Sequence, residues 1–260
     1  FSDIWHPKFH LDKNKKFITA GSCFAQHISR WLIENKYNWL DSEPADSQVS
    51  KEDTEKDGYG VFSFRTGNIY TAALLRQWVS QSLYPENRLD VFFEDESRYY
   101  DPFRPLIPHN GYENIDELNS ARKITLNNIK NSLLNTDIFI FTLGLTEGWE
   151  DIDGYVYAAC PGTLKGKFDK QRHKFINYNY ENILEDMTWV INEIQKINPE
   201  IKFLLTVSPV PLTATASKNH ILTSTIYSKS VLRSVAGYLS ETRDDVDYFP
   251  SYELISSFPV

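Results

Sequence analysis

Four short apolar runs, separated by amphipathic stretches, constrain the fold of this chain more than any other feature. The runs are KKFIT, DIFIFTL, IKFLLTV and VDYF. They are continuously apolar instead of alternating, which is typical of strands that helices cover on both faces. Between them, residues such as Leu74, Leu75 and Trp78 recur with helical spacing. We therefore predict an α/β protein with a mostly parallel sheet of about five strands in a three-layer α/β/α arrangement.

Two segments interrupt this alternation, and both are rich in aromatic residues. Residues 85–112 contain VFFEDESRYYDPFRP, and residues 151–175 contain DGYVYAACPG. Neither is long enough to build a core of its own. We therefore predict that both insertions fold over the edge of the sheet at which ligands bind, and that residues 1–260 form a single domain.

Composition and charge exclude several classes of protein. The formal net charge of -8, without a basic stripe, argues against a nucleic-acid partner. No apolar run reaches the roughly 18 residues that span a bilayer, and no signal-peptide pattern opens the chain. We expect a cytoplasmic protein in which Cys23 and Cys160 are free thiols. No pair of cysteines or histidines has the spacing of metal ligands, so we expect no metal.

Cys23 stands in a tight turn between a strand and a helix, within FITAGSCFAQH at residues 17–27. A helical face begins directly after it, with Phe24 and Ile28 as its first apolar residues. Free N–H groups at the start of a helix stabilise a thiolate, and nucleophile elbows use this geometry. The alternative is a small buried cysteine that packs at a turn, since free cysteines are often buried.

Polar residues follow several strands at what should be the same edge of the sheet. In parallel α/β sheets the ligand lies outside the carboxyl ends of the strands, so these residues should converge. His220 lies in the long loop after IKFLLTV, where a general base would be useful. His27 is four residues after Cys23 and could share one side of the first helical turn. Either histidine could equally be an ordinary surface residue.

Seven segments, in this order along the chain, resemble the GSCFA domain. They are GSCFAQHI at 21–28, RTGNIYTA at 65–72, DPFRP at 101–105, FTLGLTEGWE at 141–150, TVSPVPLTAT at 206–215, YSKSVLR at 227–233 and YFPSYE at 248–253. The GSCFA domain is similar to the SGNH-hydrolase superfamily of esterases, lipases and carbohydrate O-acetyltransferases. The resemblance implies a flavodoxin-like fold and chemistry at acyl esters.

Residue by residue, the resemblance places Cys23 where SGNH enzymes carry their nucleophilic serine. Gly67 is the counterpart of the glycine that donates its N–H to the oxyanion. The third block falls on residues 144–147, where Thr146 replaces the usual asparagine and Asn68 could take over its part. The last block, Asp-x-x-His, supplies the base in the superfamily and has no match here. We expect the C-terminal end of the domain to lie beyond residue 260.

The predicted site therefore has two groups of residues. The candidate catalytic residues are Cys23, His220 and Glu147. Glu147 could act as a base, orient a histidine, bind a substrate hydroxyl or merely cap its loop. The candidate oxyanion or substrate-binding residues are Ser22, His27, Gly67, Asn68, Gly144, Thr146, Trp149 and Ser208. Trp149 suits stacking against a sugar face, although tryptophans are more often simply packed.

The sequence is compatible with two functions of different classes. The first is an esterase or O-acyltransferase that acts on a glycan or another hydroxylated substrate, with Cys23 as nucleophile. The second is a non-catalytic carbohydrate- or nucleotide-sugar-binding domain, favoured by Thr146 and by the missing terminal histidine. We expect no bound cofactor, with acyl-CoA left open as an acyl donor, and a small-molecule or glycan partner. The oligomeric state is not indicated.

Overall fold

A five-stranded parallel sheet forms the centre of the computed structural model, which describes residues 3–47 and 49–256. In chain order its strands are β1 (Lys16–Gly21), β2 (Asn38–Trp39), β5 (Ile138–Leu143), β9 (Lys202–Val207) and β10 (Val246–Phe249). The spatial order is β10-β9-β5-β1-β2, and all neighbouring strands run parallel. Counted along the chain, this is the 2-1-3-4-5 order of flavodoxin-like folds. The predicted α/β fold with a parallel sheet is confirmed.

Helices cover both faces of this sheet. The helices of the described residues are α1 (Ala25–Glu34), α2 (Lys51–Lys56), α3 (Ala72–Leu83), α4 (Ile115–Asn135), α5 (Tyr180–Ile197), α6 (Ile221–Thr242) and α7 (Ser251–Ser256). On one face, α3, α4, α5 and α6 pack against sheet residues such as Phe139 and Phe203 in the larger core. On the other face, Leu32 of α1 and the segment around Trp5 cover Phe17 and Ile140. The three predicted layers follow from this arrangement.

The second insertion folds into a small antiparallel sheet, which we call the flap. It consists of β6 (Glu147–Asp151), β7 (Val156–Tyr157) and β8 (His173–Asn177), in the order β7-β6-β8. The first insertion forms a hairpin of β3 (Phe93–Asp95) and β4 (Arg98–Tyr100). Phe93 stacks on Tyr157 of the flap, with ring centroids 5.8 Å apart. The first insertion thus packs against the flap.

A buried ion cluster ties the first insertion to the core. Asp101 is fully buried and accepts a hydrogen bond from Nε of Arg122 at 3.0 Å. Burial alone would raise the pKa of Asp101, but the guanidinium groups of Arg122 and Arg104 bring it below its usual value. Arg104 donates in turn to Oγ1 of Thr125 on α4 at 2.7 Å. The DPFRP segment therefore stabilises the fold, because it supplies Asp101 and Arg104 to this buried ion cluster.

None of the helices in the described residues is both long and apolar enough to cross a membrane.

Candidate functional site

A pocket of about 530 Å³ opens at the carboxyl edge of the parallel sheet, and we call it the Cys23 pocket. The loops that follow β1, β5 and β9 form its base, and the flap forms its wall. Among its lining residues are Ser22, Cys23, Tyr70, Thr71, Gly144, Glu147, Trp149, Tyr157, Cys160, Phe175, Ser208 and Thr215. Strand ends of a parallel sheet meet at one edge, so these separated segments come together. The prediction that residues 151–175 fold over this edge is confirmed, whereas residues 85–112 do not reach the pocket.

Two glycines allow the loops at the base of the pocket to approach closely. β1 ends at Gly21, which has a φ of +141° and whose missing Cβ would stand 2.5 Å from the carbonyl oxygen of Thr142. A Cβ on Gly144 would lie 2.8 Å from Cβ of Ser22. Any larger residue at either position would push β1 and β5 apart. Glycine at both positions therefore brings Ser22 and Cys23 against the end of β5.

Cys23 precedes the first turn of α1 and is half-buried. The N–H of Ala25 donates to the carbonyl of Ser22 at 2.8 Å. The N–H groups of Cys23 and Phe24 have no acceptor among the described residues. Such free donors at a helix start favour negative charge nearby. The turn therefore offers main-chain donors beside the thiol, as an oxyanion site requires.

Lys229 of α6 reaches the same place from inside the protein. Its side chain is buried, and Nζ donates to the carbonyl oxygen of Gly144 at 2.8 Å. Burial lowers the pKa of Lys229 to about 8, while the nearby Cys23 opposes that shift. The pKa of Tyr70 is raised by burial and, to a smaller extent, by Cys23. Cys23, Lys229 and Tyr70 therefore interact electrostatically at one end of the pocket.

From the sequence, Lys229 could bind a phosphate or carboxylate or be a salt-bridged structural residue, but its place beside Cys23 is not predicted, and Tyr70 is not selected at all. Ser228, Leu232 and Val235 lie on the buried face of α6, and Lys229 belongs to the same face. A lysine at a core position of an amphipathic helix is rarely buried without a reason. Tyr70 carries no such signal, because its position depends on the path of the loop before α3.

A second polar group stands on the flap side of the pocket. Oε1 of Glu147 accepts a hydrogen bond from Oγ1 of Thr215 at 2.7 Å. The hydroxyl groups of Thr215 and Ser217 are 2.8 Å apart. Trp149 makes edge contacts with Phe168 and Phe175, with ring centroids 5.5 and 5.7 Å apart. An indole beside a carboxylate and a hydroxyl is suited to a sugar ring, which offers both an apolar face and hydroxyl groups.

The GSCFA family model matches residues 16–258, nearly the whole chain. The chain belongs to the GSCFA family. No curated protein and no solved structure shows significant similarity to it.

Six of the residues selected from the sequence line the pocket of this GSCFA domain, and five do not. Those in the pocket are Ser22, Cys23, Gly144, Glu147, Trp149 and Ser208. Those elsewhere are His27, Gly67, Asn68, Thr146 and His220. Ser22 is buried, and its Oγ has no partner among the described residues. The N–H of Gly144 already donates to the carbonyl of Tyr70, at 3.3 Å.

The residues expected to supply oxyanion donors, Gly67, Asn68 and Thr146, do not line the pocket. Thr146 is fully buried, and its hydroxyl donates to Oδ1 of Asn177 at 2.7 Å. A Cβ on Gly67 would lie 3.5 Å from Cδ1 of Ile107, so Gly67 faces the first insertion. Oδ1 of Asn68 is buried without a partner among the described residues. The loop before α3 presents Tyr70 and Thr71 to the pocket instead.

The two histidines selected from the sequence lie outside the pocket. His27 borders an apolar groove on the opposite side of α1, together with Phe24 and Trp31. His220 is the N-cap of α6, and its Nδ1 accepts a hydrogen bond from the N–H of Leu222 at 3.2 Å. His220 thus satisfies one of the free donors at the start of that helix.

Replacing His220 should affect the stability of the protein more than its catalytic turnover. We expect His220→Ala to lower the free energy of unfolding by about 1 kcal/mol, because a helix cap is lost. His220→Asn should retain most of this stability, since asparagine is a good N-cap. Urea unfolding of both variants measures the difference. A loss of catalytic turnover in His220→Asn, with stability intact, would restore His220 as a candidate base.

The described residues contain no group of three or more histidine, cysteine, aspartate or glutamate side chains arranged for a metal ion. Both cysteines are free, and both line the pocket. Burial raises the pKa of Cys160, which makes its thiolate less accessible at neutral pH.

Proposed function

We propose that this GSCFA domain catalyses acyl-ester chemistry, as an SGNH-like esterase or O-acyltransferase acting on a glycan or another hydroxylated substrate. The observation that carries the proposal is that Cys23 and Gly144 line one pocket, while buried Lys229 donates to the carbonyl of Gly144 near enough to Cys23 for their charges to interact. A buried amine with a pKa of about 8 is mainly protonated near physiological pH, but it keeps a neutral fraction far larger than that of an ordinary lysine. It can therefore take a proton from the thiol and return it later.

The reaction would proceed through a thioester. Neutral Lys229 accepts the proton of Cys23, and the thiolate attacks the ester carbonyl to form a carbon–sulfur bond. The oxyanion of the tetrahedral intermediate is held by the main-chain N–H groups of Cys23 and Phe24. The carbon–oxygen bond to the alcohol then breaks, and the ammonium of Lys229 protonates the departing alkoxide. Water or an acceptor hydroxyl attacks the thioester in the second half, which regenerates the thiol.

The flap side of the pocket would hold the hydroxylated part of the substrate. Glu147 and Thr215 are placed to exchange hydrogen bonds with hydroxyl groups, and Trp149 offers an apolar surface beside them. The ester must lie toward Cys23 for the attack to occur. Acyl donors to test are O-acetylated oligosaccharides, a simple aryl acetate and acetyl-CoA.

A trapping experiment tests the covalent step directly. The protein is mixed with each of the three donors in turn, quenched in acid and mapped by peptide mass spectrometry. We expect an acetyl group on Cys23 before steady state, and none on Cys160. The Cys160→Ala variant, which changes the other thiol of the same pocket, should still be labelled. Absence of acetyl-Cys23 with all three donors would contradict the proposal.

The second candidate is a non-catalytic carbohydrate- or nucleotide-sugar-binding domain. The hydrogen bond from Thr146 to Asn177 favours it, because the donor of the third SGNH block is directed away from the pocket. In that case, Cys23→Ala should bind oligosaccharides as tightly as the unchanged protein does, and neither should turn over an ester. Calorimetry with the oligosaccharides separates this outcome from a catalytic one.

A further inference from the structure

The loop before α3 is fixed at the base of the Cys23 pocket by main-chain hydrogen bonds to two strand ends. The N–H of Ile69 donates to the carbonyl of Gly21, the last residue of β1, at 2.8 Å. The carbonyl of Tyr70 accepts a hydrogen bond from the N–H of Leu145, two residues after β5, at 2.9 Å. Tyr70 therefore stands between the turn that carries Cys23 and the end of β5.

The hydroxyl of Tyr70 is available to a ligand. Tyr70 is half-buried and lines the Cys23 pocket. Its hydroxyl makes no hydrogen bond to the described residues and is not fully enclosed by them. By contrast, the hydroxyl of Tyr157, on the flap side of the same pocket, donates to Asp151 at 2.7 Å. Of these two tyrosines in the pocket lining, Tyr70 is thus the one whose hydroxyl is uncommitted.

The side chain of Tyr70 extends toward Cys23. Burial raises the pKa of Tyr70, and a negative charge on Cys23 raises it further, so the two groups are close enough for their charges to interact. The phenol therefore keeps its proton at pH values where a thiol ionises. It remains able to donate a hydrogen bond when Cys23 reacts.

The side-chain donor that the SGNH resemblance places in this site is committed elsewhere. Thr146 is fully buried and donates to Oδ1 of Asn177 at 2.7 Å. The free main-chain N–H groups of Cys23 and Phe24 remain beside the thiol. Donors aimed at the developing charge are usually the largest single contribution to acyl transfer, so a further donor at this point would matter.

We infer that the hydroxyl of Tyr70 donates a hydrogen bond to the oxyanion of the reaction at Cys23. The inference rests on the proposed function and adds a catalytic residue to it. When the thiolate attacks, the carbon–sulfur bond forms and an electron pair of the carbonyl bond moves to its oxygen. The O–H of Tyr70 stabilises this charge without giving up its proton, and the interaction weakens when the carbonyl forms again.

The rate of acetyl-Cys23 formation in Tyr70→Phe tests this role. The substitution keeps the ring and leaves no described residue without a hydrogen-bond partner, so the unfolding midpoint should change little. We expect acetylation by an aryl acetate, followed by rapid acid quenching and peptide mass spectrometry, to slow by about 10²-fold. Tyr227→Phe makes the same change on an exposed residue of α6 outside the pocket and should leave the rate unchanged.

Alkylation by iodoacetamide separates a role at the oxyanion from an effect on the thiol. This reaction also requires the thiolate of Cys23, but it displaces iodide from a saturated carbon and forms no oxyanion. We expect Tyr70→Phe to retain the rate of Cys23 alkylation within about twofold. Equal slowing of acetylation and alkylation would show that Tyr70 acts on the thiolate, and it would overturn the inference.

The proposed function and this inference fail in distinguishable ways. If the unchanged protein forms no acetyl-Cys23, the reaction is absent and Tyr70 has no oxyanion to stabilise. If the unchanged protein and Tyr70→Phe are acetylated at the same rate, the reaction stands and the role of Tyr70 alone is refuted. A raised KM with an unchanged rate at saturation would also refute it, because the hydroxyl would then bind substrate and transition state equally.

Discussion

Cys23→Ala is expected to lower kcat/KM for an acetyl ester by at least about 10³-fold, because loss of a covalent nucleophile removes the whole two-step pathway. The alanine occupies less space than cysteine, and the turn depends on Gly21 and Gly144 instead of the thiol. The fold should therefore be preserved, which circular dichroism and the unfolding midpoint can verify.

Cys160→Ala is the matched control for this experiment. Cys160 lines the same pocket, and the substitution removes the same thiol group. Burial raises the pKa of the Cys160 thiol, which disfavours its thiolate. We expect Cys160→Ala to retain turnover within about threefold, because it removes no reacting group. Equal losses in the two variants would mean that the pocket needs bulk instead of a nucleophile, and retained turnover in Cys23→Ala would remove Cys23 from the mechanism.

Lys229→Met is expected to lower turnover and raise stability at the same time. Removal of a proton-transfer group should reduce kcat by about 10²-fold or more. The lowering of the pKa of Lys229 from 10.5 to about 8 corresponds to about 3 kcal/mol against the folded state. The variant leaves the carbonyl of Gly144 without its donor, at a cost of about 1 kcal/mol. The net gain in the free energy of unfolding at pH 7 should be about 2 kcal/mol.

The pH dependence of the stability difference between Lys229→Met and the unchanged protein follows from the lowered pKa of Lys229. Below pH 8 both the folded and the unfolded protein carry the proton, so the full cost of the buried ammonium is present. Between about 8 and 10.5 the folded protein releases its proton first, and the unchanged protein gains stability relative to Lys229→Met. The advantage of the variant should therefore disappear toward pH 10.5. Turnover of the unchanged protein should rise through pH 8, as the neutral amine increases.

Urea unfolding at pH 7 and pH 10, together with a pH–rate profile, measures both effects. Lys218→Met makes the same chemical change on an exposed residue of the loop after β9, and it should alter neither quantity appreciably. A purely structural lysine would be expected to destabilise the protein when replaced, with no change in the pH–rate profile. That combination of results would argue against the role proposed for Lys229.

A residue that lowers stability and yet lies beside a candidate nucleophile is characteristic of functional sites. Methionine could fill the space of Lys229 without a buried charge, so packing alone gives no reason for a lysine there. The contact between Lys229 and the main chain of Gly144 joins α6 to the end of β5. It is this tertiary contact that brings the amine near Cys23.

The amino-acid sequence by itself determined the parallel sheet and one half of the site. Strands β1, β5, β9 and β10 were evident because burial on both faces leaves a local, continuous apolar signal. Since parallel strands end at one edge, the residues directly after them could be grouped without knowing any contact. Ser22, Cys23, Gly144 and Ser208 all line the pocket for this reason.

Only the tertiary structure decided the remaining features of the fold and the site. They depend on where each side chain points and what packs against it, which local sequence patterns do not encode. The two-residue edge strand β2 is too short for any periodicity. Thr146 follows a strand as predicted, but its hydroxyl donates a hydrogen bond to Asn177. His220 lies in the loop after β9 as predicted, but its side chain caps α6. Lys229 is distant in sequence from every strand end, and the packing of α6 brings its amine to the carbonyl of Gly144, near Cys23. A side chain's partner is set by the packing of whole elements, which sums many weak contacts that no short stretch of sequence contains.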